Sequence, residues 1–394
     1  MNNIYYYDTK ERLKGINTNR YLSKVIEQLE TIDSITDYDT FKKAVLEYKA
    51  FVKKRNRVFS TAQYGVEGLL YGHRKAFFEY AGYEQQKDKR FCLPYFEHGI
   101  NWQEQYLKTY SHNMLHSFVF QGPYKNQMLN KECPWHPVYN IGPYVCYAKS
   151  YYPQDKIQEM KRSYGKTLLL YPLHTCEGAT ADVDRKEFVR LTMDKFKNQC
   201  STIMISVYWN DVDDPLYDAF QAEGAMLVSA GYRQDQNFIR RLRSMVELSD
   251  FTAGNHIGTH IGYCMALEKP HVIFNMNAQV NESFRILSEK EEKTYNNTLQ
   301  AFYSAFGSLT PNETEKQLQE RLFEKFWGGQ LCFKSVNKAR EIIDVSTKLI
   351  HLSHGNMGKF QSILKSAVCC RSGLSDFTNA EIELLRGTVG YYEE

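Results

Sequence analysis

The chain has 394 residues, of which 43% are hydrophobic and 24% are charged. This length exceeds the usual size of one hydrophobic core, so two packed domains with a cleft between them are expected, and the composition excludes intrinsic disorder. The net charge of +3 is small for such a chain, which gives no case for binding nucleic acid through a broad basic surface.

The cysteines and the N-terminus bear on the cellular location. Nine cysteines without a CxxC pair favour buried thiols in a reducing compartment over a disulfide framework. No stretch approaches the ~20 apolar residues of a membrane span, and the N-terminus lacks the pattern of a signal peptide. We therefore expect a cytoplasmic protein. The basic run at 53–57 admits peripheral contact with the inner face of the cell membrane, although a solvated helix end is the favoured interpretation.

The N-terminal part of the chain is predicted to be an α/β domain. Amphipathic patterns predict helices over 21–29, 41–52 and 65–80, and apolar runs predict strands over 91–96 and 117–120. A polar, charged stretch follows within 147–166, so the domain is expected to end there.

The segment 167–275 is predicted to be a Rossmann-like domain. Short apolar, β-rich runs alternate with amphipathic helical patterns, and the predicted strands are 167–171, 202–208, 225–229, 251–254 and 271–274. Continuous apolar strands joined by helices favour a parallel sheet that is covered on both faces.

Two of the intervening helices have readable starts. Asp214 and Pro215 supply an N-cap and a first-turn proline. A later helix has Asp235 as its expected N-cap and is expected to hold its arginines, Arg241 among them, on the outside.

The predicted fold is therefore α/β, with two Rossmann-like domains facing a cleft and a helical C-terminal segment. The predicted boundaries are 1–155 for the N-terminal domain, 156–340 for the C-terminal domain and 341–394 for the helical segment. Ligands of open α/β sheets bind beyond the carboxyl ends of the strands, so the loops there are the first candidates for a site.

The loop after the fourth strand of the C-terminal domain is the strongest local signal. It contains Asn255, Gly258, Thr259 and His260. Glycine lets the backbone approach a ligand, and a helix that begins near Thr259 directs N–H groups at it, so a diphosphate is expected to fit. The Thr259 hydroxyl bonds either phosphate or its own helix as an N-cap, and the spacing favours the cap.

The loops after the first and third strands add polar groups. His174 and Glu177 follow the first strand, where an imidazole suits phosphate oxygens and a carboxylate suits ribose hydroxyls; turn chemistry is an equal alternative. Gly231, Tyr232 and Arg233 follow the third strand. Arg233 offers either a cationic fork for phosphate or a surface pair with a neighbouring carboxylate.

In the N-terminal half, Glu97 and His98 follow a predicted strand and precede a glycine. Either residue is a candidate general base for an acceptor hydroxyl. The sequence has no HExxH motif, no clustered Cys/His spacing, no GxxxxGK[ST] phosphate loop and no GxSxG elbow. Neither a metal ion nor another cofactor is therefore expected.

The stretch 248–274 resembles the donor-binding segment of GT-B glycosyltransferases. It reads Leu-Ser-Asp-Phe-Thr-Ala-Gly-Asn-His-Ile-Gly-Thr-His over 248–260 and places a Lys-Pro step before the next strand. The segment 97–99 looks like the acceptor-side His-Gly loop of polyol-phosphate transferases. The segment 172–178 loosely resembles the His-Pro element of sialyl- and Kdo-transferases, although here the proline precedes the histidine by two positions.

The resemblance implies a glycosyltransferase that moves a sugar from a nucleotide-activated donor to a growing cell-surface polysaccharide, a capsule or a lipopolysaccharide O-antigen. Its partners would be a nucleotide sugar, bound by the C-terminal domain, and a saccharide or lipid-linked saccharide acceptor, presented by the N-terminal domain. Closure of the cleft would bring the two together. A sugar-nucleotide epimerase, a polyol-phosphate transferase on the same fold and a non-catalytic polysaccharide-assembly subunit are the alternatives.

Overall fold

The described residues form two compact units. A computed structural model of the chain describes residues 27–54, 67–83, 94–97, 99–100, 118–126, 129, 136–175, 179–182, 184–233, 235–274, 279–282, 289–329, 335–354, 356–369 and 374–386. Unit 1 comprises the described residues from 67 to 148 and from 323 to 386; unit 2 comprises those from 27 to 54 and from 149 to 322.

The helices and strands are numbered here in chain order over the described residues. The helices are α1 Tyr38–Lys54, α2 His73–Tyr80, α3 Gln154–Tyr164, α4 Arg185–Phe196, α5 Pro215–Ala222, α6 Phe238–Leu248, α7 His260–Ala266, α8 Glu289–Ala305, α9 Glu313–Trp327, α10 Val336–Ser353, α11 Met357–Val368 and α12 Asn379–Arg386. The strands are β1 Tyr95–Phe96, β2 Phe118–Phe120, β3 Val138–Asn140, β4 Thr167–Tyr171, β5 Ala179–Asp182, β6 Thr202–Ser206, β7 Met226–Val228, β8 Phe251–Gly254, β9 His271–Ile273 and β10 Gln279–Glu282.

Unit 2 contains a five-stranded parallel sheet in the order β7-β6-β4-β8-β9. Numbered along the chain, these strands lie in the order 3-2-1-4-5, which is that of the doubly wound Rossmann arrangement. All five residues of β4, at the centre of the sheet, are buried, as expected for a strand covered on both faces. The predicted α/β class with a parallel sheet is therefore confirmed.

The strand predictions for unit 2 agree closely with the structure, whereas one helix differs. The helix α5 begins as predicted, since the Asp214 carboxylate accepts a hydrogen bond from the Leu216 N–H at 2.9 Å. The helix α6 starts at Phe238, and Asp235 does not cap it but lies in the turn before it, fully buried.

The prediction that Arg241 lies outside is wrong. Its side chain is fully buried, forms an ion pair with Asp235 and donates hydrogen bonds of 2.9 Å to the carbonyls of Glu30 and Ile32. The helical pattern gave a polar face, but that face is covered by a chain segment more than 200 residues away. A buried guanidinium is tolerated here because a carboxylate and two carbonyls receive its N–H groups.

The units differ from the predicted contiguous domains. The helix α1 belongs to unit 2, where its Tyr48 ring lies 5.3 Å from the Tyr232 ring and 6.2 Å from the Trp209 ring. The C-terminal helices from α10 onward belong to unit 1. An amphipathic pattern predicts that a helix has an apolar face, but it does not say which core that face covers.

Unit 1 is built on a three-stranded parallel sheet in the order β1-β2-β3. Its aromatic core includes Phe77 of α2, whose ring lies 5.4 Å from that of Phe96 and 5.2 Å from that of Tyr147. In unit 2, a further antiparallel pair joins β5 to β10. Within the described ranges, no helix is both long enough and apolar enough to cross a lipid bilayer.

Candidate functional site

Unit 2 has a topological switch point between β4 and β8. The order of the strands reverses there, so the connections leave in opposite directions and open a crevice at the carboxyl ends. The loops after the two strands are joined by a hydrogen bond of 2.6 Å from the Leu173 N–H to the Asn255 Oδ1 atom. Asn255 is only 1% exposed. Asn255, which was predicted to bind the nucleotide, therefore joins the two loops that border the crevice.

His174 lies in the β4 loop and is half-buried. Its ring stacks on Tyr208 with the centroids 4.2 Å apart. The next residue, Thr175, donates both its N–H, at 2.7 Å, and its hydroxyl to Asp211 beyond β6. Burial lowers the pKa of His174, partly offset by a main-chain hydrogen bond and by Asp211. The imidazole is therefore neutral at pH 7, with one donor and one acceptor nitrogen.

Four imidazoles form a continuous group, which we call the histidine cluster. The ring centroids are 6.0 Å apart between His174 and His256, 4.8 Å between His256 and His260, and 5.2 Å between His260 and His271. Burial, together with the neighbouring histidines, lowers the pKa of His256 to about 3 and that of His260 well below its usual value. Burial alone lowers the pKa of His271 to about 3.

Several imidazole nitrogens of the cluster lack hydrogen bonds. His256 Nδ1, His260 Nε2 and His271 Nε2 are buried and have no partner among the residues that the structure describes. A neutral imidazole has one donor and one acceptor nitrogen, so these rings keep a hydrogen-bonding capacity that the described residues do not fill. In the described part of the chain, no group of three or more His, Cys, Asp or Glu side chains is arranged to hold a metal ion.

The glycine of the β8 loop makes room for side chains of this chain. A Cβ atom at Gly258 would lie 2.8 Å from His260 Nδ1 and 3.0 Å from His256 Nε2. The face of the His260 ring is covered by Tyr171, with the ring centroids 4.4 Å apart. A phosphate was predicted to lie beside Gly258. In the direction of a Cβ atom, two imidazoles occupy that space.

Gly258→Ala is expected to lower the free energy of unfolding by about 1–3 kcal/mol, because the added methyl group must displace one of two packed imidazoles. Urea unfolding measures the change. Gly358→Ala in α11 is the matched control, since a Cβ atom there meets only Asn356 Oδ1, at 3.4 Å. If the two substitutions changed the free energy of unfolding by the same amount, the role given to Gly258 would be contradicted.

Thr259 occupies the N-cap position of α7, but its backbone is helical, and its side chain caps no N–H group of the described helix. The favoured interpretation of its hydroxyl as a cap is therefore wrong. With a φ of −58° and a ψ of −27°, Thr259 lacks the extended backbone that turns a capping side chain back onto the helix.

The loop after β7 is mainly packed inside unit 2. Gly231 has a φ of +105°, which glycine adopts without strain. Tyr232 is 2% exposed, and its ring lies 4.8 Å from that of Trp209. The Arg233 guanidinium lies 5.4 Å from the centre of the same Trp209 ring, and the residue is 8% exposed. The structure therefore gives Gly231 and Tyr232 packing roles, and it places the Arg233 charge over an aromatic face.

Unit 1 holds Glu97 directly after β1, where it is 5% exposed. Lys125 Nζ lies 2.7 Å from the Glu97 Oε1 atom, and the Tyr124 hydroxyl donates to the same oxygen. The other oxygen, Oε2, is buried and has no hydrogen-bond partner within the described ranges. Two of the predicted site residues, His98 and Glu177, lie outside the described residues.

Several residues at these places are not among the predicted site residues. Asp211 follows a predicted strand, so the rule that ligands bind beyond the carboxyl ends of strands could have identified it. His256 lies in the loop after the fourth predicted strand, which was already a candidate. Nothing in the sequence pattern relates Lys125 to Glu97, which is 28 residues away, or His271 to the other histidines.

Comparison of the chain with protein-family models, with curated proteins and with solved structures yields no match in any of the three.

Proposed function

We propose that the chain is a glycosyltransferase of the GT-B kind, which transfers a sugar from a nucleotide-activated donor to a growing cell-surface polysaccharide. The observation that carries the proposal is the switch point of unit 2, where the loops after β4 and β8 meet through Leu173 and Asn255. Nucleotides bind in such crevices, beyond the carboxyl ends of strands whose order reverses.

The groups at this edge suit a nucleotide. His174 is partly open to solvent, and its Nδ1–H donates to the Thr175 carbonyl at 3.1 Å, so the Nε2 atom of the neutral imidazole accepts a hydrogen bond, which a ribose hydroxyl of the nucleotide would donate. Its ring and that of Tyr208 form a stacked pair. The resemblance of 248–274 to the donor-binding segment of GT-B enzymes adds support, because that segment supplies the β8 side of the same crevice.

Unit 1 would present the acceptor, with Glu97 as its base. The ion pair with Lys125 fixes one oxygen of the carboxylate, so the remaining oxygen, Oε2, is available to take a proton from an acceptor hydroxyl. His98, the first candidate from the sequence, lies outside the described residues and is the alternative base. The proposal includes no metal ion or other cofactor.

His174→Ala is expected to weaken nucleotide binding by about 0.5–1.5 kcal/mol, because the hydrogen bond that Nε2 accepts from a nucleotide hydroxyl is lost. Thermal-shift measurements with UDP, CMP, GDP and dTDP first identify the nucleotide, since a ligand at 100 times its dissociation constant stabilises a protein by ~2.7 kcal/mol. Titration of the variant with that nucleotide then gives the loss.

Arg190→Ala is the matched control, because Arg190 lies on the exposed face of α4 in the same unit and pairs only with carboxylates of its own helix within the described ranges. It should bind the nucleotide as the wild type does. Arg233→Ala is expected to lower both affinity and thermal stability, since it also uncovers Trp209. Unchanged affinity in both His174→Ala and Arg233→Ala, or no shift with any nucleotide, would count against the site.

A sugar-nucleotide epimerase is the second candidate, and one observation favours it. Two neutral imidazoles, His174 and His256, stand on the two loops that border a single crevice, with their ring centroids 6.0 Å apart. Epimerisation needs acid and base groups around one sugar and no separate acceptor. Incubation of nucleotide sugars without an acceptor separates the two functions, because only the epimerase would change the configuration of the sugar.

A further inference from the structure

The carboxyl edge of the sheet in unit 1 carries a connected group of polar side chains, which we call the amide–carboxylate cluster. It comprises Glu97, Gln121, Lys125, Asn126 and Asn140. Lys125 bonds Glu97 at 2.7 Å; its neighbour Asn126 donates to Asn140 Oδ1 at 2.7 Å. Asn140 donates in turn to the Gly122 carbonyl at 2.9 Å, next to Gln121. One short turn therefore connects residues at the ends of all three strands.

Four polar atoms of this cluster are buried without a hydrogen-bond partner in the described part of the chain: Glu97 Oε2, Asn126 Oδ1 and both amide atoms of Gln121. Glu97 is 5% exposed and Gln121 is fully buried. Buried polar atoms are almost always hydrogen-bonded in folded proteins, because leaving them unpaired costs free energy. Several such atoms lie in one network, at the edge where parallel sheets bind ligands, so a ligand that reaches this edge would find both donors and acceptors to pair with.

We propose that the amide–carboxylate cluster binds a ligand with adjacent hydroxyl groups, a saccharide or a polyol. Three of the four atoms are oxygens that accept hydrogen bonds, and one is an amide nitrogen that donates two. A hydroxyl group both donates and accepts, so neighbouring hydroxyls satisfy a carboxylate oxygen and an amide at once. An anionic ligand would meet the acceptor oxygens unfavourably, and the buried ammonium of Lys125 opposes a cationic one.

The ion pair of Glu97 explains how the cluster is oriented before a ligand arrives. Lys125 Nζ and the Tyr124 hydroxyl both engage Oε1, so the rotation of the carboxylate is fixed and Oε2 keeps its accepting capacity. Because the carboxylate is already ordered, its side chain loses less conformational entropy when a ligand binds. The binding of a polyol does not depend on the proposed function, whereas its identity as the sugar acceptor rests on it.

The test uses Gln121→Met, because methionine has nearly the length and volume of glutamine without its polar atoms. If the Gln121 amide is paired only when a ligand is bound, it does not stabilise the ligand-free fold. This variant should therefore melt at the wild-type temperature or above it. Saturation-transfer NMR with hexoses and N-acetylhexosamines, in the absence of nucleotide, should show binding to the wild type and at least tenfold weaker binding to the variant.

Asn140→Leu is the matched control, since its buried amide is hydrogen-bonded on both sides, and its melting temperature should fall. A fall of the same size in Gln121→Met would show that the amide serves the fold and would overturn the proposal. So would the absence of saturation transfer to the wild type, or unchanged binding in Gln121→Met. Loss of the nucleotide site with sugar binding retained would remove the proposed function and leave this inference standing.

Discussion

Replacement of Glu97 with glutamine is expected to slow sugar transfer by about 100- to 10,000-fold, the usual loss when a general base is removed. The amide oxygen keeps the contacts that Oε1 makes with Lys125 and Tyr124. The amide NH2 group replaces Oε2, and it is not basic enough to take a proton. The rate of transfer at saturating donor and acceptor measures the effect, and nucleotide affinity should stay at the wild-type value.

The buried ammonium of Lys125 requires a second variant. Glu97→Gln alone removes the carboxylate that pairs with this ammonium, and removing one side of a buried ion pair destabilises a protein by about 3–5 kcal/mol. The double variant Glu97→Gln with Lys125→Met removes both charges and should recover most of that stability without recovering transfer. Recovery of both would show that Glu97 is a structural partner of Lys125, and near-normal transfer in the single variant would move the base to another residue.

Acid is expected to unfold the protein through the histidine cluster. The pKa values of His256 and His271 are lowered by burial to about 3, and that of His260 is also lowered, whereas unfolded histidine titrates near 6.5. Between about pH 6.5 and 3, the unfolded state therefore binds more protons than the native state, and the free energy of unfolding falls as the pH falls. Each histidine contributes at most about 1.4 kcal/mol per pH unit.

Urea unfolding at a series of pH values measures this slope. His271→Asn should make the slope smaller, because asparagine keeps a polar atom for the Thr252 hydroxyl, which lies 2.8 Å from His271 Nδ1, but takes up no proton. His351→Gln, at an exposed position of α10, should leave the slope unchanged. A wild-type stability that does not vary between pH 7 and 5 would contradict the assignment of neutral, buried imidazoles.

The fold of unit 2 could be predicted from the sequence because its strands are local, continuous apolar runs. The predicted strands 167–171 and 251–254 match β4 and β8 residue for residue. The rule that polar loops follow such strands then led to His174 and Asn255, which the structure brings together at the switch point. The order of the strands, by contrast, depends on crossovers that no local pattern records.

The remaining features of the candidate sites depend on contacts between distant segments. His271 begins a strand and joins the histidine cluster only because β9 pairs with β8. Gly258 has the pattern of a phosphate loop, yet its neighbours are imidazoles. The bond between Glu97 and Lys125 requires the fold of unit 1. A sequence pattern gives the direction of a side chain on its own element, and it does not give the element packed opposite.

The buried contacts of Arg241 have a consequence for synthesis of the chain on the ribosome. The carbonyls of Glu30 and Ile32 meet this residue 211 and 209 positions later, and Ser34 bonds the Ser229 carbonyl 195 positions later. At 5–20 residues per second, translation takes about 10–40 s to supply these partners. During that time, the apolar face of α1 has to remain without its native cover, so we expect the nascent chain to be a client of ribosome-associated chaperones.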